Sequence, residues 1–477
     1  MDNRKEHELV VIGAGPGGYR AAFMAADLGL QVTLIDAQPN PGGVCLYRGC
    51  IPTKALLHLA RVKEEAMKAS AWGLTFQEPV IEREKVKAWK EGVIKQLTGG
   101  LGQLTKARKI NYIQGWAKFT GPNTLLVKSK ETEVFRFKQA IIATGVTPVK
   151  LPFVKEYTDR IMNAEIALEL KTIPEKLLVI GGGYIGMESA TIYRALGSEV
   201  SLVEVLSIVM PTMDKELTAV YLKQNKDLFK EQFFETRVTS LEEHDGKVIA
   251  TMGAFKNNQL TGDPFTREYD AVLISAGMKP DTSALGLEEA GVEIDGSGFI
   301  RINEESRTNV PHIFAIGDVT GGALLAHKAS YQGRIAAEVI AGKKAAFDAR
   351  AIPAVVYTDP EIAVAGLSEQ ECQDQGIAYR SVKFPWAASG RAVANGDPAG
   401  LTKLIIEEDT DRILGAGIVG KGAGDLISEA VLGIEMAARV GDLAMSIHPH
   451  PTISETLMEA AELYLGHPVH VAPPRKK

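Results

Sequence analysis

The sequence predicts an α/β protein, two Rossmann-like dinucleotide-binding units in tandem followed by a C-terminal α+β unit. Three observations predict it. A strand, glycine turn, helix, strand and acid follow one another twice; each copy is followed by a later strand that ends in Gly-x-x-Pro; and beyond residue 350 short alternating strands and prolines take over. At 477 residues the chain is too long for one ordinary core and calls for about three domains.

The first copy runs from the apolar strand Leu9–Ile12 through Gly13-Ala14-Gly15-Pro16-Gly17-Gly18 into an Ala-rich helix to Leu28. A second strand, Val32–Asp36, ends in a carboxylate. The second copy repeats this as Leu177–Ile180, Gly181-Gly182-Gly183-Tyr184-Ile185-Gly186, a helix to Leu196, and Val200–Glu204. Gly29 and Gly197 close the two helices alike. A lone Gly-x-Gly-x-x-Gly is weak evidence, because glycine turns are common. Here each turn follows a buried strand and opens a helix, so backbone N–H groups and the helix dipole can face a pyrophosphate without Cβ interference. Asp36 and Glu204 each stand 18 residues past the last glycine, where a carboxylate can accept a ribose 2′-hydroxyl. No Arg or Lys follows Glu204 until Lys215, so a 2′-phosphate finds no partner and the second site should prefer NAD to NADP.

Three later segments read as strand ends returning to these nucleotides. They are Ala140–Ala143 with Thr144 and Gly145, its counterpart Ala271–Gly277, and Ile313–Gly317 ending at Asp318. Gly-Asp alone is a routine turn. The expected divisions are 1–150, 151–280, a central 281–350 segment, and 351–477. Pro473–Lys477 reads as a frayed tail.

A formal charge of −6 leaves no polybasic field, so neither nucleic acid nor an anionic membrane is an expected partner. No apolar run reaches the ~18 residues that span a bilayer. The charged Met1–Glu8 leads straight into a strand without a signal-peptide pattern, and a cytoplasmic protein is expected. Three cysteines are too few for a disulfide framework, so a disulfide here is expected to be catalytic.

Two of the three, Cys45 and Cys50, lie five positions apart in Gly43-Val44-Cys45-Leu46-Tyr47-Arg48-Gly49-Cys50-Ile51-Pro52-Thr53-Lys54. On an ideal helix this spacing separates the Cα atoms by about 8 to 9 Å, beyond disulfide reach, so the turn must be distorted. Gly49 supplies the freedom, and Pro52 suits the first position of a following helix. Cys50 then lies at a positive helix end near Lys54, which favours a thiolate. A zinc site and a pair of inert thiols are the competing readings. Zinc wants four ligands and Cys372 stands alone, so no metal is expected.

Thiol–disulfide exchange also needs a proton acceptor. His450, flanked by Pro449 and Pro451, stands one helical turn before Glu455, which could orient it. Thr452-x-x-Glu455 equally reads as a capping box opening an amphipathic helix, and both roles can coexist.

Together these motifs, in order along essentially the entire chain, resemble the pyridine nucleotide-disulfide oxidoreductases, the glutathione reductase-like flavoproteins, and most of all the members that oxidise dihydrolipoamide. The resemblance implies FAD in the first unit and NAD in the second, with a C-terminal dimerisation domain. It places Gly13, Gly15, Gly18, Asp36, Lys54, Ala117, Asp318 and Ala326 at FAD, with Thr144 and Gly145 returning to the cofactor. Gly181, Gly183, Ile185, Gly186, Glu204, Val238 and Gly277 fall at NAD. Cys45 matches the thiol that exchanges with substrate, Cys50 the thiolate in charge transfer with the flavin, Lys54 and Glu188 an ion pair at the flavin edge, and His450 and Glu455 the base and its orienter. It further implies a homodimer in which the His/Glu pair reaches the partner's disulfide. The implied reaction is dihydrolipoamide plus NAD going to lipoamide plus NADH, on a lipoyl-bearing carrier protein of a 2-oxo acid dehydrogenase or glycine cleavage complex. Where members commonly carry Leu-Asn-Val between the cysteines, this chain has Leu46-Tyr47-Arg48; Asp36 replaces the commoner Glu, and Met278-Lys279 replace arginines. Glutathione and trypanothione reductases would need a 2′-phosphate clamp, and mercuric reductase a cysteine pair near the carboxyl end. A flavin-bound redox sensor without turnover is the alternative from another class.

Overall fold

The structure is a computed structural model that describes residues 6–280 and 282–472. The residues before Glu6 and the Pro473–Lys477 tail lie outside the described residues. Strand Glu6–Ile12 is the centre of the first sheet, in parallel register with Val32–Asp36 on one side and Thr132–Ile142 on the other. Leu9 to Ile12 are buried throughout because both faces of this sheet are covered. Val10 and Ile12 enter one core with Phe119, Leu125 and Ile313, whereas Leu9 and Val11 enter another with Ala21, Ala22 and Ile335. The period of two along a strand thus feeds two cores. Asn111–Gln114 extends one edge, and the antiparallel strands Thr124–Lys128 and Trp116–Gly121 follow Thr132–Ile142.

The chain returns to this sheet after the second unit. Ile313–Ala315 pairs in parallel with Ala140–Ile142, and helix Ala326–Ile340 packs against helix Pro16–Asp27. Gly333 permits that approach, since a Cβ there would stand 2.5 Å from the Gly17 carbonyl oxygen.

The second unit repeats the scheme in a parallel sheet ordered Gln232–Phe233, Glu199–Val203, Lys176–Ile180, Ala271–Ile274 and Ile161–Asn163. Helix Tyr184–Leu196 crosses it, and an antiparallel hairpin system, Thr236–His244, Lys247–Lys256 and Gln259–Tyr269, follows. The two Gly-x-x-Pro exits, Val146–Pro148 and Met278–Pro280, pair with each other antiparallel, so the equivalent ends of both units are tied together.

The last unit is a five-stranded antiparallel sheet ordered Ala354–Val356, Glu361–Gly366, Ile413–Gly420, Leu401–Glu407 and Tyr379–Pro385. Helices Ala423–Glu435 and Glu455–Leu465 cover one face through Ile427, Leu457 and Ala461. From the other face Val356, Ile362 and Val419 join a core shared with Leu56, Leu57 and Leu217. That core bonds the last unit to the first two. No helix among the described residues is long and apolar enough to cross a membrane.

A charge cluster reinforces the junction. Lys403, with a side chain only 1% exposed, places Nζ 2.9 Å from Asp214, 3.1 Å from Glu216 and 2.8 Å from Glu369. Burial opposes ionisation of Glu216, but hydrogen bonds from Lys383 and Lys403 outweigh it and hold the carboxyl down to about 2. Glu369 is shifted down against the same opposing burial. A depressed carboxylate contributes stability that is complete above its ordinary value near 4.5 and is lost as pH falls toward its folded value. Lys403→Ala leaves three carboxylates facing one another and should cost about 2 kcal/mol at neutral pH. Thermal unfolding of the variant and parent at pH 7 and pH 3 checks this: the gap should narrow in acid, and a constant gap would refute the electrostatic account.

Candidate active site

The two glycine turns are built alike to the level of single hydrogen bonds. Gly13 (φ +94°) donates its N–H to Ile35 O at 2.8 Å, and Gly181 (φ +101°) donates to Val203 O at 2.9 Å. A Cβ on Gly18 would fall 1.8 Å from Gly13 O, and one on Gly186 would fall 2.0 Å from Gly181 O, so neither turn tolerates a side chain there. Gly15 and Gly183 precede the helices that begin at Pro16 and Tyr184 with extended backbone, leaving the first helical amides pointing outward. The space at Gly183 is open and that at Gly15 nearly so, which is the shape a pyrophosphate needs.

Asp36 and Glu204 are also duplicates. Asp36 accepts from Ala14 N at 2.7 Å and Gln38 N at 2.8 Å, and Glu204 from Gly182 N at 2.6 Å and Leu206 N at 2.9 Å. Each carboxylate therefore clamps its own glycine turn, with lone pairs remaining for a ribose hydroxyl. Beyond each acid the chain also bonds alike: Gly115 N donates to Asp36 O, and Thr236 N to Glu204 O. This places Ala117 two residues past the first clamp and Val238, 5% exposed, two residues past the second. Ile185 is half-buried beside the second turn.

Thr144 and Gly145 follow Ala143, whose N–H bonds Ile12 O at 2.8 Å, so they border the first turn. Gly145 (φ +77°) and Gly277 (φ +108°) occupy equivalent strand exits. Asp318 sits in a short 3₁₀ turn at the end of Ile313–Ala315, with Ala326 opening the next helix. Its Oδ1 is buried without a hydrogen-bond partner among the described residues, and burial, partly relieved by Lys328, pushes the carboxyl up. A buried orphan acceptor is costly unless a ligand hydroxyl satisfies it. The first unit accordingly fits a dinucleotide with a polyol such as FAD, and the second fits NAD.

The redox segment is two helices broken at one residue. Helix Gly43–Arg48 ends at Gly49 (φ −139°, ψ −114°), and helix Cys50–Lys68 begins immediately. Cys50, rather than Pro52, is its first residue; Pro52 lies at the third position, where its missing N–H also costs nothing. Gly43 (φ +59°) lies so close to the first glycine turn that a Cβ would stand 2.5 Å from Gly15 Cα. The cysteines are free thiols, hydrogen-bonded to each other. The Cys45 donor lowers the Cys50 thiol to about 7, against burial and with help from Lys54. Cys45 is pushed up by the same hydrogen bond and by burial.

Lys54, one turn along, contacts both oxygens of Glu188 at 3.0 and 3.2 Å. Glu188 is nearly inaccessible and also accepts from Tyr357 N at 3.0 Å, while the Tyr357 ring lies under the Lys54 ammonium at 4.4 Å. The Tyr47 hydroxyl donates to Asn40 O and its ring packs by Gly42. Arg48 pairs with Glu165 at 3.3 Å.

His450 Nδ1 lies 2.9 Å from Glu455 Oε1, and Glu455 Oε2 accepts from Thr452 N at 2.7 Å. Burial raises the Glu455 carboxyl, but the Thr452 amide and His450 outweigh it and shift it down. The capping box is only half formed. Glu455 is the first helical residue, and the Thr452 hydroxyl donates to Pro449 O instead of receiving a helix amide. The loop carrying His450 is anchored by His448, whose ring nitrogens meet Ser446 O and Glu429 Oε1, each at 2.8 Å. The His450 side chain is 74% exposed, and among the described residues no hydrogen bond or ion pair joins it to the cysteines of its own chain.

Sequence reasoning missed two features. The Gly15–Gly43 contact had a signal in the Gly42-Gly43 pair; Tyr357 had none, because its partners lie about 300 and 170 residues away, beyond any local pattern.

The family model described as pyridine nucleotide-disulphide oxidoreductase matches residues 7–333, and the dimerisation domain of that family matches 352–461. The chain is 47% identical over 468 residues to the dihydrolipoyl dehydrogenase of Vibrio cholerae, covering 98% of this chain and 97% of the relative. It is 42% identical to that of Geobacillus stearothermophilus, covering 98% of each. Among solved structures it resembles LpdA from Mycobacterium tuberculosis, with a TM-score of 0.87 and 26% identity over 96% of this chain and 99% of that one. It also resembles the HOCl-induced flavoprotein disulfide reductase RclA from Escherichia coli, with a TM-score of 0.83 and 26% identity over 96% and 100%.

The split between the thiols makes a prediction. Removing the Cys45 donor by Cys45→Ala should raise the ionisation midpoint of Cys50 above about 7, whereas Cys45→Ser keeps a hydroxyl donor and should raise it less. The pH dependence of iodoacetamide alkylation at Cys50 reads both, and equal midpoints in the two variants would contradict the hydrogen-bond account.

Proposed function

Because the chain belongs to the pyridine nucleotide-disulphide oxidoreductase family, we propose that it oxidises protein-bound dihydrolipoamide with NAD through the Cys45–Cys50 pair. It is an FAD- and NAD-dependent oxidoreductase of the dihydrolipoyl dehydrogenase type. The observation that carries the site reading is the opposite displacement of the two thiols, Cys50 down and Cys45 up. In thiol–disulfide exchange the sulfur with the lower pKa leaves more readily. Starting from the oxidised pair, a substrate thiolate attacks Cys45, the Cys45–Cys50 bond breaks, and Cys50 departs as a thiolate beside Lys54. The second substrate thiol then attacks the mixed disulfide, releasing cyclic disulfide product and the Cys45 thiolate.

His450 is the group proposed to take the proton from the incoming dithiol, with Glu455 fixing the ring through Nδ1 and leaving Nε2 for the exchange. Bound FAD would carry the electron pair from the dithiol to the nicotinamide. Gly13, Gly15, Asp36, Asp318 and the segment from Thr144 are the residues proposed to hold it, and Gly181, Gly183, Gly186 and Glu204 those proposed to hold NAD. The divisions 1–150, 151–280, 281–350 and 351–477 would correspond to the FAD, NAD, returning and interface units.

The matched dimerisation domain supports a homodimer. In the same unit as the exposed His450, Leu432, Met436, Met445 and Ile447 are exposed by 64, 73, 86 and 99%, apolar side chains that a second copy could cover. We read the carrier as a lipoyl-bearing protein of a 2-oxo acid dehydrogenase or glycine cleavage complex, and three cysteines, too few for a structural disulfide framework, suit a cytoplasmic setting. Steady-state turnover of NADH with lipoamide, after reductive titration of the bound flavin, tests the whole reading; a full complement of flavin without lipoamide turnover would overturn it.

Nucleotide choice should rest on Glu204. Both its oxygens are held by backbone amides, so the charge stays at the ribose end and opposes a 2′-phosphate. Initial rates should favour NAD over NADP by about tenfold or more in kcat/KM, and preference for NADPH would sink this assignment.

The dimer makes a second prediction. Cys45→Ala and His450→Ala homodimers should each be inactive, yet mixing dissociated subunits should recover about a quarter of parental activity, since half the dimers are mixed and each holds one intact site. Activity staying at parental-variant levels, with heterodimers verified by mass spectrometry, would mean that His450 serves its own subunit.

A further inference from the structure

Tyr357 takes no part in the exchange just described, yet it touches both members of the ion pair behind the thiols. Its amide donates to Glu188 Oε1 at 3.0 Å, and its ring face lies 4.4 Å from Lys54 Nζ. We propose that Tyr357 is a positioning residue that holds the Lys54 ammonium between Glu188 and the Cys50 sulfur, so that the C-terminal sheet sets the electrostatic surroundings of the redox pair. The inference rests on the reading of Cys50 as the thiolate member.

A lysine has four rotatable carbons and no fixed orientation of its own. Glu188 alone would let Nζ pivot about the carboxylate and away from Cys50. The ring closes that path by offering the ammonium a second, electron-rich surface. Tyr357 can serve as such a stop because its backbone is held: it follows strand Ala354–Val356, its own amide is bonded to Glu188, and the adjacent Thr358, 1% exposed, donates to Pro360 O. Tyr357 is 37% exposed, so filling a core is not what it does. Among the described residues, groups whose charges act on or are acted on by Cys50 include Cys45, Lys54, Glu188, Tyr19, Tyr184 and Tyr357. Lys54 lowers the Cys50 thiol where Glu188 raises it. A displaced ammonium therefore removes the favourable charge and leaves the unfavourable one.

The test uses the FAD-loaded Cys45→Ser enzyme as parent. The Cys50 ionisation midpoint is read from long-wavelength charge-transfer absorbance against pH and, independently, from iodoacetamide alkylation. Tyr357→Phe keeps the ring and should titrate with the parent. Tyr357→Leu should raise the midpoint by about 0.5 to 1 pH unit, slowing alkylation about three- to tenfold below the midpoint. In a Lys54→Met background the same substitution should add nothing. A Tyr357→Leu midpoint equal to the parent, an undiminished shift without Lys54, or a Phe variant behaving like the Leu variant would each overturn the proposal. A parent that alkylates normally but has no charge-transfer band counts against the flavin-side role of Cys50 alone, and the alkylation series then decides the role of Tyr357.

Discussion

The ion pair between Lys54 and Glu188 is the interaction on which the arrangement of the site depends. Lys54 belongs to the redox helix, Glu188 to the helix of the second glycine turn, and the Tyr357 amide that completes Glu188 to the C-terminal sheet. A carboxylate as inaccessible as Glu188 is expensive to desolvate, and an apolar pair of similar volume could pack as stably. What the charges add is registry. Two hydrogen bonds from Lys54 and one from Tyr357 satisfy Glu188 only when all three parts of the chain stand in one relation. The shared core of Leu56, Leu57, Val356 and Val419 supplies the attraction between these parts, but apolar contacts can slide.

The duplication follows the opposite logic. Asp36 and Glu204 make the same pair of amide contacts, and Gly18 and Gly186 make the same close approach to a carbonyl. The same geometry serves two different cofactors because pyrophosphate and ribose are common to both, and backbone groups read those parts. Divergence lies in what surrounds the turns. The first is flanked by Gly43 from the redox segment and by the helix from Ala326, which comes with Asp318; the second is open at Gly183, with Tyr184 exposed beside it. A polyol-bearing cofactor needs the additional buried acceptor, and a diffusing nucleotide needs the opening.

This contrast explains what could be read from residues alone. Strands Leu9–Ile12 and Leu177–Ile180, the two turns and the two acids were legible because each signal is local: a buried parallel strand is uniformly apolar, and glycine is required where φ is positive and Cβ would strike a carbonyl. The distortion between Cys45 and Cys50 was legible for a geometric reason, since an unbroken helix keeps the thiols apart. Its form was not. Gly49 ends one helix and starts the next at Cys50, one turn detail that moves Pro52 inward to the third position. At Thr452 the capping pattern was right about Glu455 and wrong about the hydroxyl, because the hydroxyl donates to Pro449 O and the helix begins two residues later than the pattern assumes. Tyr47, which a sequence comparison puts beside the thiols, donates to Asn40 O, a contact no period or spacing announces.

The break at Gly49 also accounts for the asymmetry between the thiols. In a continuous helix Cys45 and Cys50, five positions apart, would make no direct contact. Breaking the helix makes Cys50 the first residue of a 19-residue helix, where the unpaired amides favour an anion, while Cys45 is the third residue of a helix only 6 residues long. The same break lets one thiol donate to the other, and a shared proton favours whichever sulfur is already better stabilised. Lys54 sits one turn into the new helix, on the side of Cys50. Helix start, proton sharing and cation therefore act in one direction, and all three would be lost together if residue 49 allowed the first helix to continue.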